Sequence, residues 1–245
     1  MVGNPSIGSH PKVNQWIEFV TEGRILIHTG KVDIGQRIST ALALIAADEL
    51  DVDYDRIDIK RTETDIDPNE GFTAGSMSMQ HSGEAVRLAT ATAREYMLKV
   101  AAEKLDVDIK SLEVTDGLVQ SRQTNETVTY WELMSNKEFN LPVNSNVCVK
   151  SPDKHKFVGT RVLAKDMTNI IKGSMSYIHD MKMTDMWHAR LVRPPHYLAK
   201  LEDLDNELIQ RLAKENVLVV RDGSFIAVVA LDEYVAIKAA SKVAN

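Results

Sequence analysis

Gly30-Lys31-Val32-Asp33-Ile34-Gly35-Gln36-Arg37 runs directly into Ile38-Ser39-Thr40-Ala41-Leu42-Ala43-Leu44-Ile45-Ala46-Ala47-Asp48-Glu49-Leu50, and the spacing of apolar residues changes at the join. Before it, Trp16 to Val20 and Arg24 to Thr29 read as two strands around the turn Thr21-Glu22-Gly23, a hairpin. After it, Ile38, Ala41, Leu42, Ile45, Ala46 and Leu50 fall on one helical face. A strand is predicted next, at Arg56 to Lys60. Strand, loop, helix and strand in this order predict a mixed, α+β chain.

A second loop also leads into a helix. Asp65-Ile66-Asp67-Pro68-Asn69-Glu70-Gly71 is rich in turn formers and leads to Thr73-Ala74-Gly75-Ser76-Met77-Ser78-Met79, after which a long helix is predicted from about Ser82 to Leu105. Its apolar face is Ala85, Leu88, Ala89, Ala93, Tyr96, Met97 and Val100, with Arg87, Arg94, Glu95 and Lys99 largely away from it. Leu112 to Thr115 and Leu118 to Gln120 form a predicted hairpin around Asp116-Gly117, and Tyr130 to Met134 a short helix. Asn136 to Lys156 is polar, carries Pro142 and Pro152 and lacks periodicity, so it reads as a linker with a domain boundary near 150. The expected domains are residues 1–145 and 146–245. In the second, strands are predicted at Met186 to Arg193, Val217 to Arg221 and Ser224 to Ala230, the last two joined as a hairpin by Asp222-Gly223. Helices are predicted at Asp205 to Glu215 and at Asp232 to Lys242, with Asp232 as N-cap.

Composition removes several classes of function. With 44% hydrophobic and 26% charged residues the chain is suited to globular packing, not disorder. A net charge of −6 offers no basic footprint for nucleic acid or an anionic membrane. No apolar run approaches the roughly 20 residues that span a bilayer, and the first residues lack a signal-peptide pattern, so a cytoplasmic location is expected. The single cysteine, Cys148, permits neither an internal disulfide nor an iron–sulfur cluster ligated by this chain alone. The seven histidines make no metal-binding spacing, so metal chemistry must come with a cofactor or a partner.

Two constellations can bind a ligand. Gly35, Gln36 and Arg37 stand at a helix N-terminus, whose free N–H groups and dipole suit a phosphate or polar heterocycle; Gln36 can both donate and accept, as a pterin edge requires. Taken alone, the stretch also reads as a plain turn into an amphipathic helix. Gly75, Ser76, Met77, Ser78 and Met79 combine small residues, consecutive N–H groups and two hydroxyls ahead of a second helix, and alone they also read as a surface loop. Glu84 after Gly83 is better explained as an acidic residue in a first helical turn than as a general base. The four methionines between Met175 and Met186 suit a packing or partner surface.

At these two loops the sequence resembles the molybdopterin-binding subunit of the xanthine dehydrogenase/aldehyde oxidase family. The resemblance lies in Gly30 to Gln36 with Thr40 to Ala43 and Ala46 to Leu50, and in Asn69 to Met79 with Ser82-Gly83. In the second domain, Gly173 to Met181 and Arg190-Leu191-Val192-Arg193-Pro194-Pro195 resemble that family's α/β hammerhead domain. The order is similar to the branch containing isoquinoline 1-oxidoreductase β and nicotinate dehydrogenase large subunits.

The resemblance implies a portion of a molybdopterin-binding α/β domain followed by a hammerhead, within a molybdenum hydroxylase. Such an enzyme oxidises an N-heterocycle or aldehyde with water-derived oxygen. The implied cofactor is molybdopterin cytosine dinucleotide, held by Gly35, Gln36, Arg37, Gly75, Ser76, Met77, Ser78 and Met79. No catalytic and no metal-ligating residue of this chain is implied, because the family's catalytic glutamate lies in a later portion. The expected partners are a second molybdopterin-binding chain carrying that glutamate, a [2Fe-2S] subunit, and a further electron-transfer subunit. Arg37 stands where many members have glycine, and Met79 where a small hydroxyl residue is common. The competing expectations are a scaffold subunit that kept the fold and lost the cofactor, and a free-standing nucleotide-binding α/β protein.

Overall fold

The computed structural model describes residues 3–20, 23–135, 139–174 and 177–244, apart from the side chain of His179. The chain forms two compact units, one up to Lys172 and the other from Gly173.

The first unit opens with a short helix, α1 (Pro5–Ser9), capped by the Asn4 side chain. Strands β1 (Ile17–Val20) and β2 (Arg24–Ile27) pair antiparallel, with Ile17 opposite Ile27 and Val20 opposite Arg24. The predicted hairpin is present; its turn residues Thr21 and Glu22 lie outside the described residues. The chain then crosses over through α2 (Ile38–Leu50) into β3 (Ile57–Ile59), which pairs parallel to β2. A parallel neighbour needs such a crossover, which is why a helix has to separate these two strands.

The long helix α3 (Glu84–Leu105) packs on α2, and one π turn, Met79–Gly83, leads into it. A second sheet follows, β4 (Leu112–Thr115), β5 (Leu118–Ser121) and β6 (Thr127–Thr129), all antiparallel. Strand β6 is too short to show a clear alternation in sequence. The helix α4 (Tyr130–Met134) follows, its start fixed by a reciprocal Thr129–Glu132 cap.

One core joins these elements, with Trp16, Ile25, Ile27, Leu42, Leu50, Ile57, Met97 and Tyr130 all essentially solvent-free. Tyr130 is the exception in its chemistry. Its ring packs edge-on against Phe19, but its hydroxyl has no partner among the described residues, and burial raises its pKa. An unpaired buried hydroxyl is a net cost, so Tyr130→Phe is expected to stabilise the protein by about 1 kcal/mol. Urea denaturation checks this; a loss of stability would mean that the hydroxyl is satisfied.

The boundary expected at 145/146 does not coincide with the division of the structure. Residues 139–172, ending in the short helix α5 (Met167–Ile171), pack within the first unit. The N–H groups of Val13 and Asn14 donate to Leu141 and Phe139, and the Val143 N–H donates to Pro11. Further on, the Asp48 carboxylate accepts the N–H groups of Lys156, Phe157 and Val158 at 2.7–3.0 Å. The stretch reads as a linker because its partners lie far away in sequence, and an arm held by backbone bonds needs no apolar period.

In the second unit, β7 (His188–Leu191), β8 (Leu218–Asp222) and β9 (Phe225–Ala230) form an antiparallel sheet in the order β7-β9-β8. Helices α6 (Asn206–Lys214) and α7 (Glu233–Val243) start where expected, capped by Asp205 and Asp232. Leu212, Val217, Val228, Ala230, Ala236 and Ala239 form its core. Alternation along paired strands sends Leu191, Leu218, Val220 and Phe225 to the other face of the sheet, where they are half exposed. Of the hammerhead-like motif at 173–181, Met175 and Ser176 lie outside the described residues. Among the described residues no helix is long and apolar enough to cross a membrane.

Candidate functional site

The two predicted loops meet in the first unit. The Val32 N–H donates to Thr73 Oγ1 (3.0 Å), and Gly30 N–H donates to Glu70 Oε2 (2.8 Å). Lys31, only 3% exposed, reaches under both loops and donates from Nζ to the carbonyls of Glu70 (2.7 Å) and Phe72 (2.9 Å). At Gly30 the backbones come so close that an added Cβ would lie 2.0 Å from the Pro68 carbonyl oxygen. Only glycine fits there.

In the first loop, Gly35 has φ +105°, a conformation that suits glycine, with open space where a side chain would stand. The Gln36 amide is used within its own loop: it donates to the Val32 carbonyl (2.9 Å) and accepts from the Ile34 N–H (2.6 Å). Arg37 is left-handed at the N-cap of α2 and donates to Asp166 Oδ2 at 2.5 Å. The Asp33 carboxylate accepts from both the N–H and the hydroxyl of Ser39, in the first turn of α2. Arg37 therefore brings no uncompensated charge to this helix end, and Asp33 has already taken one of its donors. The N–H groups of Gln36, Arg37 and Ile38 have no partner among the described residues.

In the second loop, Gly75 (φ +63°) and Ser76 (φ +56°) are both left-handed, and Met77 N–H closes the turn onto Ala74. Ser78 precedes the π turn without capping it through its side chain. The N–H groups of Gly75, Ser76 and Ser78 have no partner among the described residues. Met77 is partly buried, while Met79 is 47% exposed. Phe72 at 94% and Ile34 at 72% exposure stand out from the two loops with apolar faces in solvent.

This arrangement offers neutral donors, namely backbone N–H groups and the hydroxyls of Ser76 and Ser78, from two loops fastened together. Such donors suit phosphate oxygens and the edge of a heterocycle. Among the described residues no group of three or more metal-ligating side chains occurs, so a metal here would have to be carried by the bound group itself. The donor set thus fits a pterin cofactor bearing phosphate.

Sequence reasoning had not singled out Glu70, Lys31, Thr29 or Ser82. Glu70 Oε2 accepts from Thr29 Oγ1 (2.9 Å) and Ser82 Oγ (2.9 Å) besides Gly30 N–H, and Oε1 accepts from Ser6 Oγ (2.7 Å). No local signal marks Lys31 and Glu70, since other charged and polar residues, Asp33, Asp67 and Asn69, stand beside them in the same loops. Glu84, set aside as a base, begins α3 and accepts from the Asn4 side chain.

Comparison with known proteins shows the family. Residues 2–164 match the family described as the molybdopterin cofactor-binding domain. The chain is 32% identical over 228 residues to a nicotinate dehydrogenase subunit of Pseudomonas putida, covering 89% of this chain and 19% of that protein. It is 30% identical over 122 residues to the gamma subunit of the 6-hydroxypseudooxynicotine dehydrogenase complex of Paenarthrobacter nicotinovorans, covering 50% and 15%. It is 24% identical over 221 residues to the beta subunit of isoquinoline 1-oxidoreductase of Brevundimonas diminuta, covering 74% and 28%. The chain therefore spans less than a third of the length of these relatives. On the match over residues 2–164, which contains both loops, the chain belongs to the molybdopterin cofactor-binding domain family.

Proposed function

We propose that this chain supplies one wall of the cofactor site in a multi-subunit molybdenum hydroxylase that oxidises an N-heterocycle or an aldehyde. The observation that carries the reading is the pair of loops at 30–37 and 68–79, fastened to each other and each presenting unpartnered N–H groups. Gly35, Gln36, Arg37, Gly75, Ser76, Met77, Ser78 and Met79 would hold the group, in the form of molybdopterin cytosine dinucleotide. When bound, that group supplies the redox centre that transfers water-derived oxygen to an electron-poor carbon. This chain's own residues bind and orient it: backbone N–H groups meet the phosphates, and the hydroxyls of Ser76 and Ser78 add donors that can also accept.

As the family resemblance implies, a second molybdopterin-binding chain would bring the catalytic glutamate. Electrons would leave through [2Fe-2S] clusters on a cysteine-rich subunit, since Cys148 alone cannot ligate one, and a further electron-transfer subunit would follow. The names of the relatives, each one subunit of an oxidoreductase, agree with such an assembly. So do Ile34 and Phe72, whose exposed apolar faces suit burial by a neighbouring chain. The residues from Gly173 onward, with a sheet covered by helices on one face, would be the hammerhead.

One observation favours a second reading, a scaffold subunit without cofactor: the Gln36 amide and the Arg37 guanidinium are both engaged within the protein. Molybdenum content separates the two. In the purified complex, Gln36→Ala together with Ser76→Ala is expected to lower molybdenum per complex by about tenfold, because one hydroxyl donor is lost and the first loop loses the two bonds that the Gln36 amide makes within it. Unchanged molybdenum in the double variant would exclude the Gln36 and Ser76 side chains from the binding wall.

A further inference from the structure

Glu70 takes no part in the set of residues just assigned to the cofactor, yet more of the local structure converges on it than on any of them. Its carboxylate sits between three segments distant in sequence. Oε1 takes the hydroxyl of Ser6 from α1; Oε2 takes Gly30 N–H and Thr29 Oγ1 from the first loop and Ser82 Oγ from the π turn behind the second. Thr29 Oγ1 and Ser82 Oγ are themselves 2.6 Å apart, which closes a triangle of oxygens on the carboxylate. The Lys31 ammonium, on the same segment as Gly30, grips the main chain at Glu70 and Phe72. A side chain of loop two thus holds the backbone of loop one, and a side chain of loop one holds the backbone of loop two.

We infer that Glu70 and Lys31 are positioning residues whose crossed contacts set the spacing of the two loops, and so determine how firmly a phosphate-bearing cofactor is retained. The inference rests on the cofactor reading above. Its physical basis is that N–H donors on separate loops bind one ligand well only if their separation is fixed before the ligand arrives; a shift of about half an ångström is enough to weaken such a site. The hydrogen-bond geometry also separates the role of shape from that of charge. In Glu70→Gln the amide oxygen can replace Oε2 and keep all three of its donors, while the amide nitrogen donates to Ser6 Oγ, which accepts equally well.

The test measures molybdenum per mole of complex, with thermal midpoint recorded alongside, in the wild type and in Glu70→Ala, Glu70→Gln and Lys31→Met. A double variant, Val119→Ala with Val128→Ala, serves as a control for lost stability, because this facing pair lies in the core of the second sheet, away from the loops. Expected are a loss of about tenfold in Glu70→Ala, more than half of wild-type content in Glu70→Gln, and wild-type content in the valine double variant. If Glu70→Ala does not fold, Lys31→Met carries the test; its stem still packs while both carbonyl contacts go, and a loss of several-fold is expected. Molybdenum within twofold of wild type in the Glu70→Ala and Lys31→Met complexes would overturn the inference and leave the cofactor reading standing. Equal losses in Glu70→Ala and the valine variant, or in Glu70→Ala and Glu70→Gln, would also overturn it. A wild-type complex without molybdenum would overturn the cofactor reading, and this inference with it.

Discussion

Gly30→Ala is expected to be the most damaging single-methyl change in the first unit, lowering the thermal midpoint by roughly 10 °C and removing bound molybdenum. The cause is local. The new Cβ would lie 2.0 Å from the Pro68 carbonyl oxygen and 2.9 Å from the Glu70 nitrogen, both backbone atoms that cannot turn aside as a side chain would. Relief requires the two loops to separate, which breaks the Gly30 N–H bond to Glu70 and draws Lys31 away from its two carbonyls. Overpacking of this kind costs about 3 kcal/mol or more, which in a unit of this size is roughly 10 °C. A midpoint within about 2 °C of wild type by circular dichroism, on the order of half a kcal/mol, would contradict the close approach itself.

Asp48→Ala is expected to cost about 2–3 kcal/mol and to loosen the arm at 139–172 where Asp48 holds it. Acidic residues at a helix C-terminus are opposed by the helix dipole, yet α2 ends in Asp48, Glu49 and, just past it, Asp51. Each is compensated from elsewhere. Asp48, 3% exposed, accepts three consecutive backbone N–H groups from Lys156 to Val158. Glu49 pairs with Arg87 at 2.9 Å and accepts the Lys150 N–H; Asp51 pairs with Arg94 at 2.7 Å and with the Lys150 ammonium. Burial holds the Lys150 pKa below the ordinary lysine range, with Asp51 opposing that shift. Removing the buried Asp48 carboxylate leaves three consecutive part-buried donors without their partner at once. Limited trypsin digestion reads the result directly: Lys150, Lys154, Lys156 and Arg161 should become early cleavage sites. A digestion pattern identical to wild type would show that the arm is held by other contacts.

These two residues also mark where reading the sequence succeeds and where it stops. Local patterns were enough for α2, α3, the three predicted hairpins and the capped helices α6 and α7, because periodicity, turn residues and caps act over a few positions. Asp205 and Asp232 are caps that can be read from neighbours alone. The arm at 139–172 could not be read that way. Its structure depends on Asp48, about a hundred residues earlier, and on backbone bonds to 11–14 that leave no pattern in side-chain type. Arg87 and Arg94 were placed away from the apolar face of α3, which is correct, but their partners on α2 were not legible.

The candidate site divides in the same way. Positions that need unusual backbone or small size, Gly35, Gly75 and the serines, stood out in the sequence, and the structure gives Gly35, Gly75 and Ser76 left-handed backbone. Arg37, a long charged side chain at a position with φ +59°, gave no hint of Asp166, 129 residues away. Glu70 and Lys31 were missed because a charged residue in a loop is ordinarily solvated. Only the fold reveals that Lys31 is buried and that Glu70 gathers donors from three segments.

The most direct test of the central claim is the cofactor content of the native assembly. The chain should be isolated with its partners from its source cell under non-denaturing conditions, and molybdenum, iron and released pterin nucleotide measured per mole of complex. About one molybdenum with one cytosine dinucleotide pterin, accompanied by iron and a longer chain, is the expected result. A complex, or a lone chain, with neither molybdenum nor pterin would contradict the assignment of the two loops as the wall of a cofactor site.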